Sequence, residues 1–265
     1  MWLTKFIPNN LLERALKIVN IKYLYLSGAK KNKIIFSIIR NKHMTINNYV
    51  LSNYGVWMSN KLNDKTFKLS IMGYRNGLEK FLSGIDLPMI FIDIGANQGV
   101  FSLVAAKNKN FHEIHAFEPN LNLISILEKN FLYTKNEKFF IHPFAVSSAE
   151  GEVNFFVPEN HSGIGKISKN VWNSSIKSVN RNYLNNTFTN ISYPFFIKID
   201  AEGSETEILY ELFNSNLSLN IKYIFIELNS IYGYTDLIVK ILKRNGFHEL
   251  FRKTGSISSD ALYAR

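Results

Sequence analysis

Phe91-Ile92-Asp93-Ile94-Gly95-Ala96-Asn97-Gln98-Gly99 is the stretch on which the reading of this chain turns. Met89–Ile94 is a short apolar run ended by glycine, which reads as a strand buried on both faces of a parallel sheet. Gly95 permits a tight turn. Gly99 opens a helix over Val100–Lys107 and lets ligand atoms approach the backbone at its N-terminus. The spacing is Gly-x-x-x-Gly, not the dinucleotide Gly-x-Gly-x-x-Gly, so fewer amides converge than a pyrophosphate needs. Asp93 puts a carboxylate at the strand end, which suits the ammonium of an amino-acid moiety.

Outward from this turn the pattern repeats. Glu113–Phe117, Lys138–Ile141, Val153–Val157, Phe195–Ile199 and Tyr223–Leu228 read as strands. Leu121–Phe131, a segment from Glu205 and Asp236–Asn245 read as helices. Ser204 with Glu207 forms a capping-box pattern, and Gly246 is a left-handed helix stop. Phe247–Phe251 and Ala261–Ala264 can close the sheet as an antiparallel pair. Strands alternating with helices imply a doubly wound α/β sheet. Pro158–Lys169, rich in Gly, Ser and Asn, reads as a loop. Upstream, residues 3–19 have the spacing of a basic amphipathic helix. Residues 33–72 read as short strands and turns, including the run Ile34-Ile35-Phe36-Ser37-Ile38-Ile39, and a helix is expected near Asn76–Leu82. The organisation predicted is an extension, 1–80, followed by a Rossmann-like domain, 81–265.

The 265 residues are 46% hydrophobic, enough for a sizeable core, and hold no cysteine, which excludes disulfides and thiol chemistry. A formal charge of +10 favours acidic partners, and an acidic small molecule or a glycan is the expected acceptor. No run is long and apolar enough for a spanning helix. Asn9, Asn10, Glu13 and Arg14 break what would be a signal-peptide core, so a cytoplasmic location is expected. A membrane surface or a second copy of the chain is the candidate contact of residues 1–26.

Two further segments carry chemistry. His115-Ala116-Phe117-Glu118-Pro119-Asn120 places an acid at the end of the next strand, where a carboxylate accepts both hydrogen bonds of a ribose diol. Lys198-Ile199-Asp200-Ala201-Glu202-Gly203-Ser204-Glu205 places Asp200 and Glu202 at another strand's carboxyl end, where ligands of open α/β sheets bind. Asp200, Glu202 and Glu227 are the candidate catalytic residues. Among the histidines, His115 reads as a core residue, His142 as part of a turn, and His161 as an exposed loop residue or a mobile base. A metal site would need carboxylates or histidines at ligand spacing; Asp200, Glu202 and Glu227 could meet in space, but no metal is expected.

Together, residues 91–99, 116–120 and 198–205 closely resemble the FkbM-type methyltransferase family. Phe144-Ala145-Val146 is similar to that family's adenine-side stretch, Ile226-Glu227-Leu228 to its acid on the fifth strand, and Tyr54-Gly55-Val56-Trp57 to an upstream segment. The resemblance implies a class I methyltransferase fold of about seven strands, the last antiparallel, and S-adenosylmethionine as cofactor. It implies cofactor contacts from Asp93, Gly95, Ala96, Asn97 and Gly99, from Glu118, Pro119 and Asn120, and from Ala145, Val146 and Asp200. The activity it implies is methylation of a hydroxyl on a bacterial surface glycan or its nucleotide-sugar precursor. A different natural product or a nucleic acid is the alternative acceptor. Nucleic acid is disfavoured because Asp200-Ala201-Glu202-Gly203 stands where adenine-N6 enzymes carry an aromatic segment that stacks on a flipped base. Residues 1–50 and 158–190 match no motif and are expected to choose the acceptor.

Overall fold

The computed structural model describes residues 45–46, 49–59, 61, 63–74, 76–134, 137–255 and 258–265. The helix expected at 3–19 and the run at 34–39 lie outside these residues. Three strands come first, β1 (Thr45–Ile46), β2 (Tyr49–Leu51) and β3 (Trp57–Ser59), paired antiparallel in chain order. Helices α1 (Lys65–Met72) and α2 (Leu78–Ser83) follow. Alternation then begins with β4 (Met89–Ile94), α3 (Val100–Ala106), β5 (Phe111–Phe117), α4 (Leu121–Thr134) and β6 (Phe139–His142). A second small sheet intervenes, with β7 (Ala145–Val146), β8 (Gly151–Phe156), β9 (Lys166–Ile167) and β10 (Ser174–Val179), followed by α5 (Arg181–Thr187). The chain continues through β11 (Phe195–Ile199), α6 (Glu205–Phe213), β12 (Ile221–Asn229) and α7 (Thr235–Arg244) to the hairpin β13 (His248–Thr254) and β14 (Ser258–Ala264).

The central sheet has seven strands in the order β13-β14-β12-β11-β4-β5-β6. Strands β12, β11, β4, β5 and β6 run parallel, and β14 pairs antiparallel with both of its neighbours. This is the class I arrangement that the resemblance implies. Every residue of β4 is buried, because the strand lies mid-sheet with helices on both faces. Met89 and Phe91 point to the core shared with α1, α2, α3 and α4, while Ile90, Ile92 and Ile94 point to the core shared with α5, α6 and α7. The alternating directions of a strand's side chains thus divide one apolar run between two layers.

The expectation of strands and turns across 33–72 fails at α1. Asp64 caps it, its Oδ1 accepting from Phe67 N at 2.9 Å, and Phe67 and Ile71 bury one face. Val50, Met58, Phe67 and Ile71 share a core with Phe91, Phe101 and Leu127, so the described part of the extension packs on the Rossmann-like layers. Ser204 also differs from expectation. It precedes α6 but forms no side-chain cap. The left-handed pair Glu202 (φ 49°) and Gly203 (φ 104°) curls the turn so that Glu205 takes the free amides, accepting from Ala201 N at 3.0 Å and Gly203 N at 3.0 Å. Glu207 accepts from the Ser148 hydroxyl instead. No helix among the described residues is long and apolar enough to cross a membrane.

Candidate functional site

A cavity of about 360 Å³ opens at the carboxyl ends of β4, β5, β11 and β12, and its walls include Gly95, Glu118, Asp200 and Glu227. That volume falls in the range of small-molecule sites. The doubly wound topology puts it there: the chain leaves β4 for one side and β11 for the other, and a crevice is left where the paths diverge.

The turn after β4 is built more tightly than its sequence suggests. Gly95 has φ 77°, and a Cβ on it would lie 1.9 Å from the Asp200 carbonyl oxygen. The amides of Gly95 and Ala96 both donate to Phe117 O at 3.0 Å, Asn97 N donates to Glu118 Oε2 at 2.7 Å, and Gly99 N donates to Ala96 O at 2.8 Å. These four amides are committed inside the protein, so the turn meets a ligand by shape. Gly95, Ala96 and Asn97 line the cavity. Gly99 does not: its missing Cβ makes room for α4, since a Cβ there would lie 2.5 Å from Leu127 and 2.9 Å from Phe131. The expected close approach of ligand to Gly99 is therefore replaced by close approach of a helix.

Asp93 is also placed differently from expectation. It is 1% exposed and is not part of the cavity wall. Its carboxylate accepts from Ser102 Oγ at 2.8 Å and lies 3.0 Å from Lys198 Nζ. Lys198 continues to Gly95 O at 3.2 Å and Asp200 Oδ2 at 3.7 Å. Burial would lower this ammonium, but Asp93 and Asp200 outweigh it and raise its pKa. The pair ties β4 to β11 beneath the turn, and no free carboxylate is left for a ligand at Asp93.

Glu118 ends β5 at the cavity wall, 5% exposed. Its oxygens accept from Asn97 N at 2.7 Å and Asn120 N at 2.8 Å, which fixes the carboxylate and leaves further lone pairs. Burial pushes its pKa to about 7 against the pull of those two amides. Asn120 itself is buried and caps α4 through Asn122 N at 3.1 Å. Pro119, Phe144, Ala145 and Val146 form an apolar wall beside Glu118.

Asp200, Glu202 and Glu227 converge as the sequence allowed. One oxygen from each lies within 4.8 Å of the others, a spacing that three ligands of one cation also have. The Asp200 side chain is 44% exposed and lines the cavity. Glu202 accepts from Tyr232 Oη at 3.0 Å. Burial, then Asp200, raises Glu202 to about 7. Burial, then Asp200 and Glu202, raises Glu227 to about 8. Asp260, opposite Glu227 on β14, is raised to about 6 by burial and then Asp200. Like charges this close in a half-buried site hold protons that isolated carboxylates release.

Sequence reasoning missed Thr66, Tyr74, Gln98, Ser162, Lys198 and Asp260. Gln98 is 1% exposed and lines the cavity, yet neither amide atom has a hydrogen-bond partner among the described residues. Such a group is costly unless a polar ligand meets it. Its only sequence signal was its place between Asn97 and Gly99. His161 lines the cavity with Nδ1 3.4 Å from Thr66 Oγ1. His115 is buried between Glu113 and His142, each 3.0 Å away, and stacks on Phe140, in agreement with a core role.

Among known proteins, the family described as methyltransferase FkbM domain matches residues 93–249. No curated protein sequence matches. A methyltransferase FkbM from Methylobacillus flagellatus superposes with a TM-score of 0.45 at 18% identity, over 66% of this chain and 43% of that one. The ribosomal protein L11 methylase of Lactobacillus delbrueckii superposes at 0.43 with 11% identity, over 76% of this chain and 79% of that one. The precorrin-6y C5,15-methyltransferase of Geobacter metallireducens gives 0.41 at 14%, over 72% and 88%.

Proposed function

Because the chain belongs to the FkbM methyltransferase domain family, we propose that it carries methyl from S-adenosylmethionine to a hydroxyl of a glycan or its nucleotide-sugar precursor. The observation that carries this reading is one cavity holding the fixed Glu118 carboxylate at one side and Asp200, Glu202 and Glu227 at the other.

The residues present fit the cofactor. Glu118 has lone pairs for a ribose diol, Phe144 and Val146 suit a flat apolar base, and the unpartnered Gln98 amide calls for a polar group. Asp93 is closed off by Lys198, so Asp200 is the carboxylate that balances the cofactor's positive charge. S-adenosylmethionine supplies an electrophilic methyl on a cationic sulfur. The protein's part is to align an acceptor hydroxyl with it and to remove the hydroxyl's proton as the carbon–oxygen bond forms. Glu202, oriented by Tyr232 and with a pKa of about 7, is suited to that proton. Glu227, raised to about 8, is its neighbour. An acidic acceptor was the expectation from net charge. The four carboxylates of this wall favour an uncharged hydroxyl at the reacting point and require any acidic group of the acceptor to lie away from it.

The test is calorimetric titration with S-adenosylmethionine, followed by mass spectrometry of a panel of nucleotide sugars and oligosaccharides after incubation with both. Binding and a methyl gain on a sugar hydroxyl are expected. A folded protein with no affinity for S-adenosylmethionine refutes the reading.

A further inference from the structure

His161 through Gly165 form part of the cavity wall. The segment is held from outside its own sheet. Asn160 O accepts from Lys65 N at 2.8 Å, Ser162 N donates to Asp64 Oδ2 at 3.0 Å, and Gly163 N donates to Thr66 Oγ1 at 2.7 Å. A Cβ on Gly163 would lie 2.7 Å from Thr66, so the glycine is what allows this contact. On its inner side Ser162 Oγ donates to Asn97 Oδ1 at 3.2 Å, and Asn97 N donates to Glu118. Asn97 has φ 53°, in the left-handed region that asparagine tolerates better than other non-glycine residues.

We propose that Asp64 and Thr66 are positioning residues that strap the 160–165 segment into the cavity wall and, through Ser162 and Asn97, set the Glu118 carboxylate for its ligand. The strap is built from two segments far apart in the chain: the N-terminal turn of α1 and the insertion between β8 and β9. Asp64 performs two tasks with two oxygens. Oδ1 caps α1 at Phe67 N, and Oδ2 holds Ser162 N. Thr66 likewise uses one hydroxyl for Gly163 N and, at 3.4 Å, for His161 Nδ1. The buried face of α1 is formed by Thr66, Phe67, Ser70 and Ile71, so Thr66 packs on the core as well as bonding to the segment, and a test must change its hydroxyl at constant volume. The proposal rests on the cofactor reading only for the identity of the ligand at Glu118.

The chemistry of Asp64 offers a selective test. In Asp64→Asn one oxygen remains, enough to cap α1, because Asn is as good an N-cap as Asp. The amide nitrogen then faces Ser162 N, donor against donor. Thr66→Val removes the hydroxyl at nearly constant volume, and Thr66→Ser restores it. Hydrogen exchange of the ligand-free full chain reads the strap directly. Residues 160–165 should exchange about three- to tenfold faster in Asp64→Asn and Thr66→Val, and at the wild-type rate in Thr66→Ser. Calorimetry with S-adenosylhomocysteine reads the link to Glu118, with affinity expected to fall by a similar factor in the first two variants and to recover in the third. Wild-type exchange in both disrupting variants overturns the strap. Faster exchange with unchanged affinity overturns its coupling to Glu118. Lack of any binding by the wild-type chain sinks the cofactor reading instead, while the exchange result still decides the strap.

Discussion

Replacing Glu118 by glutamine tests the cofactor side of the site with the least change of shape. In the native chain each carboxylate oxygen accepts one backbone N–H, from Asn97 at 2.7 Å and from Asn120 at 2.8 Å. Glutamine keeps one acceptor and turns an NH₂ group toward the other amide. The variant loses one charge-assisted bond outright, and a bound diol loses the negative charge that accepts from it. Hydrogen bonds to charged groups contribute about 1.5–3 kcal/mol, so affinity for S-adenosylhomocysteine should fall about ten- to a hundredfold. The measurement is calorimetry at pH 8, where the wild-type carboxyl, with its pKa of about 7, is mostly ionised. A thermal melt run beside it shows that the variant is folded. Affinity within about twofold of wild type in a folded Glu118→Gln chain would falsify the placement of the cofactor at Glu118.

The same carboxyl predicts a pH dependence. Its pKa is raised from 4.5 to about 7, so the stability it contributes to the ligand-free fold is fully present below 4.5 and lost as pH rises through 7. Cofactor affinity runs the other way and should grow about tenfold from pH 6 to pH 8, as the ionised share rises; a flat profile by calorimetry counts against this. Gly95→Ala places a Cβ 1.9 Å from Asp200 O at φ 77° and should cost about 2–6 kcal/mol from strain and overpacking together, read by urea denaturation. A loss under about 1 kcal/mol contradicts the closeness of the two turns. Glu202→Gln should lower turnover about 10²- to 10⁴-fold with cofactor affinity kept, whereas Asp200→Asn should lower affinity first. The opposite pattern in single-turnover and binding measurements exchanges their roles.

Strand-by-strand alternation and the three motifs were legible in the sequence because each rests on local physics. Met89–Ile94 is apolar except for Asp93, as a strand covered on both faces is, and Gly95 stops it where φ turns positive. Glu118, Asp200 and Glu202 could be named because strand ends of a parallel sheet are where side chains reach a ligand, and Glu227 because Ile226-Glu227-Leu228 resembles the family's acid on the fifth strand. Helix α1 was not legible: its buried face is only Thr66, Phe67, Ser70 and Ile71, too few positions for a period to stand out. The role of Asp93 could not be read either, since the same carboxylate at a strand end serves a ligand or a lysine, and only the register of β4 against β11 sets Lys198 beside it. Gly99 faced the same ambiguity between a ligand and a helix, and Leu127 and Phe131 resolve it. The doubly wound α/β sheet thus followed from periodicity and residue type, and its class I strand order from the resemblance of three motifs. Which carboxylates stay free, which hold protons and what walls the cavity were decided by tertiary structure, because burial and partners distant in the chain set them.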